Sequence, residues 1–497
     1  MKIKTDKYKG YVIYCRDKQP LGVISSNGER RAICNSETIP KKIKQYLTAI
    51  EDRRFYQHGA LDIRGIARAF YKNIKARKIV QGGSTITQQL ARNILRDNRK
   101  NVMRKIKEIL LAIKLENKYS KDQILELYLN NVFWGKNNYG LRTASLVYFS
   151  KEPEQLNTAE QIALLTFLRG PNYYLKNEEK FFKRCDLLSQ TLYKRKVLSS
   201  KKIYKIKKTV VQICNNNLEV FRNSSVPYIA ERVNGKDLSV ITTLNKETQL
   251  EATKFIANCK YPTSIIGIAN GKIIAVASSN GTNHPFTFKT NAGSTLKPFI
   301  YTFLRENGVG DNDLFPTTNI YSLNWDIREV QRVERKYLSL KGALLLSNNN
   351  AFVNASYHIG IKKVLFFLAK TTNKPVSNLV PASILGATID GITLNELANM
   401  YYRFFLEKSE NPFKRECISI LKEIAIQKFE CEIYDAFLKT GTTNFNKERF
   451  AIVGFAKTLF GFLRQGNETD DYSKEGNFLA NILSFLKEIR SKIYKWE

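Results

Sequence analysis

The sequence predicts a chain of two main parts, a mainly α region followed by an α+β region. Three observations carry this. The chain has 497 residues, more than one hydrophobic core sustains. Apolar residues recur at helical spacing between about residues 41 and 170. From about residue 239, short β-rich runs alternate with helical segments. Hydrophobic residues make up 43% and charged residues 25%, which excludes a mostly disordered, collagen-like or coiled-coil protein.

Residues 1–40 read as a lead-in of short strands, around Tyr11–Ile13 and Leu21–Ile24. Residues 41–175 read as one helical domain. Within it Val102, Ile106, Ile109, Leu110 and Ile113 form one apolar helix face, and Ser120 stands as an N-cap before KDQILELYL. Residues 176–238 read as a solvated basic helical connector, since 176–210 hold twelve basic residues against three acidic ones. Residues 239–497 read as the α+β domain. Its strands include SVITTL, TSIIGIAN and KIIAVASS, with a hairpin turn at Asn270-Gly271.

Lys and Arg total 80 and Asp and Glu 45, a net +35 that predicts an anionic partner. No nucleic-acid-binding motif accompanies the charge, so nucleic acid is not the expected partner. Seven scattered cysteines without a CxxC argue against a disulfide framework or a structural zinc site. Three distant histidines, His58, His284 and His358, make a histidine-based metal site a poor expectation. No run of 18 apolar residues and no signal-peptide core is present. Alone, these features suggest a soluble cytoplasmic protein, an expectation at odds with the motifs.

EDRRFYQH (Glu51–His58) sets a carboxylate among arginines. QGGSTITQQLARN (Gln81–Asn93) comes next, then RKIKE (Arg104–Glu108) with a second carboxylate. Ten basic and three acidic residues lie between Arg92 and Lys121. This mixture suits a reaction that expels a phosphate. One carboxylate takes a proton from an attacking hydroxyl while Arg and Lys neutralise the leaving group. Each piece alone has a plainer reading: Arg104 and Glu108 as a surface i,i+4 ion pair, GGST as a turn and helix N-cap.

In order and spacing these segments resemble glycosyltransferase family 51, the peptidoglycan polymerases, over roughly residues 40–175. The matching stretches are EDRxFxxH, GGSTxTQQL, RKxxE, KxxILExYLN and the later AEQIALLTFLRGPNYY (Ala159–Tyr174). The resemblance implies a lysozyme-like helical domain that polymerises lipid II with inversion. Glu51 would be the general base. Glu108 would assist departure of the lipid pyrophosphate, which Arg92, Lys100, Arg104 and Lys105 would hold. His58, Ser84, Thr85 and Gln88 would line the cleft. No cofactor is firmly implied, and a divalent cation (Mg or Mn) at this site is the one candidate. The chain departs from the family pattern at Arg92, usually Lys, and at Ala60, usually Gly.

GSTLKP (Gly293–Pro298) contains Ser294-x-x-Lys297. Ser347-Asn348-Asn349 lies 53 residues after Ser294, and Lys439-Thr440-Gly441-Thr442 comes later. A neutral lysine beside a serine can activate it as a nucleophile. The set resembles the penicillin-binding (serine β-lactamase-like) transpeptidase domain over about residues 240–460. Thr242–Ala252 and SILGA (Ser383–Ala387) resemble further segments of it. The implied chemistry is acyl transfer from D-Ala–D-Ala peptides. Ser294 would be the nucleophile and Lys297 the base, with Ser347 and Asn349 relaying the proton. Lys439, Thr440, Gly441 and Thr442 would bind substrate, and the amides of Ser294 and Thr442 would form the oxyanion hole.

Together the halves resemble a bifunctional class A penicillin-binding protein, with the 1C-type subgroup as the branch considered. That implies lipid II, nascent glycan and stem peptides as partners, β-lactams as covalent inhibitors, and an anionic membrane surface. It also implies work on the outer face of the cytoplasmic membrane. The alternative is a glycosyltransferase whose inactive transpeptidase-like half only binds peptides.

Overall fold

The computed structural model describes residues 11–24, 30–199 and 239–493, apart from gaps at 35, 78–81, 96–100, 136, 282, 319–326, 328–333, 388–389, 408–409, 430–434, 444–447, 456 and 467–474. Among these residues the chain divides into two compact units. One runs to residue 199 and takes in 239–242, and the other begins at Thr243.

The first unit opens with β1 (Tyr11–Tyr14), β2 (Pro20–Ile24) and β3 (Arg30–Arg31). Helices α1 (Lys41–Glu51), α2 (Ile63–Lys75), α3 (Ile86–Leu95), α4 (Val102–Lys118) and α5 (Lys121–Asn131) come next. After β4 (Phe133–Gly135) and β5 (Asn138–Tyr139) come α6 (Leu141–Phe149), α7 (Thr158–Phe167), α8 (Pro171–Tyr174) and α9 (Glu178–Lys194). The expected cap at Ser120 forms as a full capping box with Gln123. Leu47, Phe55, Leu90, Leu125, Trp134 and Leu164 are among the side chains that build one core. Glu116 ties three helices together. Its Oε1 accepts from Thr87 Oγ1 of α3 at 2.5 Å and from Lys121 Nζ of α5 at 2.9 Å.

One expectation fails here and another takes an unforeseen side, both for physical reasons. Helix α9, expected as part of a solvated connector, buries Phe181, Cys185, Leu188 and Leu192 in this core. Its charges mark only the outward face. On α4, the apolar face expected from the spacing is present but largely exposed: Val102, Ile106, Leu110 and Ile113 face outward. The helix buries Glu108, Leu111, Ala112 and Leu115 instead. Periodicity reports a stripe, not which side the protein covers. Residues 200–238, the rest of the expected connector, lie outside the described residues.

The lead-in is built into the first unit. β1 lies between β2, antiparallel, and β6 (Ser239–Ile241), parallel. Arg142 holds β1 to α6: its guanidinium donates to both Glu152 oxygens at 2.9 and 3.0 Å and to the Tyr14 hydroxyl at 2.9 Å.

The second unit is a five-stranded antiparallel sheet between two helical layers. It comprises α10 (Lys246–Asn258), β7 (Thr263–Ala269), β8 (Lys272–Ser278), α11 (His284–Thr287) and α12 (Lys297–Glu306). A small β9 (Leu314–Pro316) and β10 (Tyr337–Ser339) ribbon precedes α13 (Leu340–Leu345), α14 (Asn349–Ile359), α15 (Ile361–Thr372), α16 (Leu394–Tyr401) and α17 (Pro412–Lys428). Then come β11 (Phe437–Thr442), β12 (Arg449–Phe455), β13 (Thr458–Arg464) and α18 (Glu475–Ile493). The strand order is β11-β12-β13-β7-β8. Successive residues alternate between two cores. Ile266, Ile268 and Ile452 face the larger helical layer, and Ile265, Val453 and Phe460 face α10 and α18. Both faces are thus covered, and β12 and β13 are buried throughout. The expected turn is present: Asn270 and Gly271 have φ of +50° and +69°, as a two-residue hairpin with the sheet's twist requires.

Candidate functional site

In the first unit, Glu51 is the last residue of α1 and is half-buried. Gln89 Nε2 of α3 donates to its Oε2 at 3.2 Å. Gln89 Oε1 in turn accepts from the hydroxyl of buried Tyr128 at 3.0 Å. Burial, with the negative charge of Glu51 added, pushes the Tyr128 phenol upward, so it stays a donor. Sequence reasoning misses Gln89 and Tyr128. Gln89 stands within the quoted TQQL stretch, and only the fold reveals its partner.

Glu108 is 3% exposed, so the surface ion-pair reading of RKIKE does not hold. Arg104 Nε lies 3.1 Å from one carboxylate oxygen and Lys105 Nζ 3.3 Å from the other. Lys105 Nζ also donates to Ser84 Oγ at 3.1 Å. Both carboxylates therefore connect to one stretch of chain, residues 84–89, Glu51 at its helical end and Glu108 through Lys105 at its loop end. Arg92, exposed on α3, is close enough to Tyr128 to act on it electrostatically. Lys100 falls outside the described residues. At Glu108, a divalent cation would meet a carboxylate with each oxygen already facing a cation, so its surroundings do not suit a metal.

Three expected cleft residues are engaged by partners within the protein. Thr85 caps α3: its Oγ1 accepts from Gln88 N, and Gln88 Oε1 accepts from Thr85 N, both at 3.2 Å. Thr85 Oγ1 also donates to Ala60 O at 2.8 Å. Both residues are buried. The His58 ring, 5% exposed, lies 2.7 Å from Asp52 Oδ1 through Nε2 and 2.7 Å from Gly59 O through Nδ1. Both ring nitrogens are engaged within the protein, so His58 shapes the loop after α1. Asp52, His58 and Asp62 form the one His/Cys/Asp/Glu cluster with metal-ligand spacing among the described residues. Its atoms are engaged: Asp52 Oδ2 accepts from Ile86 N at 3.1 Å and Asp62 Oδ1 pairs with Arg54 at 3.1 Å.

In the second unit, Ser294 sits half-buried in a tight helical turn, Gly293–Leu296, at the head of α12. Lys297, fully buried, sends Nζ to Asn349 Oδ1 at 2.6 Å and to Ser347 O and Oγ at 2.5 and 3.4 Å. Lys439 Nζ reaches the same Ser347 Oγ at 3.4 Å and its neighbour's carbonyl, Thr440 O, at 2.6 Å. Ser347 has φ of +50°, rare for a residue with a side chain, which lets its carbonyl and hydroxyl both face Lys297. The amines of two motifs, Lys297 and Lys439, thus meet at the Ser347 hydroxyl of a third, and Asn349 holds Lys297 from the side.

The strand carrying Lys439–Thr442 is a sheet edge, β11. It lies directly on the nucleophile turn. A Cβ on Gly293, φ +55°, would stand 2.7 Å from Thr442 O, and one on Gly441 would stand 2.7 Å from Thr295 Cγ2. The SILGA stretch packs beneath: Gly386 O accepts from Ala292 N at 3.0 Å, and a Cβ there would stand 2.2 Å from Gly293. Only glycine permits these approaches.

Residues 17–193 match the Transglycosylase family, and residues 264–373 match the Penicillin binding protein transpeptidase domain. The chain is 43% identical over 152 residues to Penicillin-binding protein 1F of Bacillus subtilis, covering 31% of this chain and 21% of that one. It is 28% identical over 421 residues to Penicillin-binding protein 1B of Buchnera aphidicola subsp. Acyrthosiphon pisum, covering 76% and 55%. To Penicillin-binding protein 1B of Vibrio cholerae it is 27% identical over 469 residues, covering 85% and 59%. The chain spans about half the length of the relatives it matches along most of its own length. With a transglycosylase domain followed by a penicillin-binding transpeptidase domain, the chain is similar in its order of domains to the bifunctional class A penicillin-binding proteins.

Proposed function

We propose that the chain polymerises lipid II into β-1,4 glycan and cross-links the stem peptides of the product. The observation that carries the first half is the shared attachment of Glu51 and Glu108 to residues 84–89. Glu51 takes the proton of the attacking sugar hydroxyl as that oxygen displaces the lipid pyrophosphate with inversion. Arg92, Arg104 and Lys105, with Lys100, hold the departing pyrophosphate. Glu108 keeps Arg104 and Lys105 in place. Incubating purified protein with lipid II, and reading polymer that a muramidase degrades, tests this half.

In the second half, Ser294 Oγ attacks the carbonyl between the two D-Ala residues. Lys297 removes the hydroxyl proton, the terminal D-Ala leaves as the protonated amine, and an acyl-enzyme remains. An amine of a neighbouring stem peptide then displaces Ser294 and restores it. Convergence of Lys297, Ser347, Asn349 and Lys439 favours an acting enzyme over a peptide-binding module. A fluorescent β-lactam would label wild type and leave Ser294→Ala unlabelled.

The setting we propose is the outer face of the cytoplasmic membrane, against anionic lipid. Among the described residues no helix is long and apolar enough to cross a membrane. Two helices of the first unit carry the support. Ile63, Phe70, Tyr71 and Ile74 on α2, and Val102, Met103 and Leu110 on α4, are each more than half exposed. Exposed cations flank them: Arg64, Arg68, Lys72 and Lys75 on α2, Lys107, Lys114 and Lys118 on α4. Apolar side chains edged by cations suit an interface of acyl chains and anionic headgroups.

A further inference from the structure

Glu448 is a buried carboxylate that the acyl-transfer scheme does not use. It is 4% exposed and stands immediately before β12, next to the edge strand. Its Oε2 accepts from Thr443 Oγ1 at 2.6 Å and from Thr290 Oγ1 at 3.1 Å. The two backbones add to this clamp: Glu448 N donates to Thr443 Oγ1 at 3.2 Å, and Thr443 N donates to Glu448 O at 3.0 Å.

The two threonines belong to different halves of the site. Thr443 adjoins Thr442, whose amide the resemblance to the transpeptidase domain makes one oxyanion donor. Thr290 lies four residues before Ser294, whose amide is the other. Thr290 is itself fixed by a two-way backbone bridge to Ile392, at 3.1 and 2.7 Å. One carboxylate oxygen therefore spans from the nucleophile segment to the end of β11. Between those anchors the chains touch at Gly293 and Thr442, with no room for a side chain.

We infer that Glu448 is a positioning residue that sets the spacing between the Ser294 and Thr442 amides. This rests on the acyl-transfer reading. Oxyanion donors act only at the right distance from the developing charge, and a displacement of about 1 Å can cost on the order of a hundredfold in rate. Glu448 touches no reacting atom. Its loss should slow formation of the acyl-enzyme without weakening the initial binding of a β-lactam.

The test is stopped-flow acylation of the full chain by a fluorescent penicillin, resolved into a binding constant and a first-order acylation rate. Glu448→Ala and Thr290→Val are compared with wild type, and thermal unfolding checks that each variant folds. The expected result is a roughly ten- to hundredfold slower acylation step in Glu448→Ala. Binding should change little, Thr290→Val should be intermediate, and Glu448→Gln, which keeps an acceptor oxygen, should recover most of the rate. Acylation in folded Glu448→Ala or Thr290→Val at the wild-type rate overturns the inference alone. If Glu448→Ala does not fold, Thr290→Val decides. A wild-type protein that takes no label removes the acyl-transfer reading and this inference with it.

Discussion

Gln89 Nε2 donates to Glu51 Oε2 at 3.2 Å, and the other end of the same amide is held by Tyr128. The Tyr128 hydroxyl can only donate here, so it fixes which end of the amide faces the carboxylate. Replacing Gln89 by Leu should leave the fold intact and lower the polymerisation rate by roughly tenfold, through a less oriented base. Tyr128→Phe should cost about 1 kcal/mol of stability, the net worth of one hydrogen bond, and lower the rate by less. Initial rates of glycan formation and denaturant unfolding check both.

Glu108 is a buried acid that needs its cations. Arg104→Ala leaves one carboxylate oxygen facing no charge and should destabilise by about 1–3 kcal/mol. Lys105→Ala should cost less stability, because Lys105 is 41% exposed and its pair is screened by solvent. Its loss should instead raise the KM for lipid II. Chemical denaturation with steady-state kinetics separates the two effects.

Asn349 offers the Lys297 amine its side-chain acceptor at 2.6 Å. Asn349→Ala should destabilise the second unit by about 1–3 kcal/mol, since a buried amine loses a hydrogen bond. Lys297→Met keeps the stem without the amine and should abolish labelling by a fluorescent β-lactam. Differential scanning calorimetry and gel fluorescence read these outcomes.

The exposed stripes on α2 and α4 should matter for membrane binding and not for folding. Phe70→Ser with Ile74→Ser should leave the unfolding midpoint within a degree or two of wild type. If both side chains enter the acyl region, each contributes about 1.5–3 kcal/mol, so losing the pair should weaken binding to anionic vesicles by roughly a hundredfold or more. Vesicle co-sedimentation at low and high salt is the measurement.

The residues that bear the proposed chemistry are legible in the sequence because they cluster in short stretches: Glu51 with its arginines, Ser294 with Lys297, Lys439 with Gly441. What is not legible depends on distant pairing or on which side of a helix is covered. Glu448 gains its role from Thr290, 158 residues away. The family resemblance makes Thr85 and Gln88 cleft residues, and their spacing is also that of a capping box, which the two form. The stripe on α4 is visible, but a surface built for lipid has the same period as one built for a core. In α9, twelve nearby cations obscure four buried side chains that make the helix part of the first unit.

The most direct measurement compares glycan polymer made from lipid II by wild type and by Glu51→Gln, with unfolding curves showing both intact. Loss of the base predicts at least a hundredfold slower polymerisation in the variant. Polymer forming at the wild-type rate would take Glu51 out of the reaction and contradict the account.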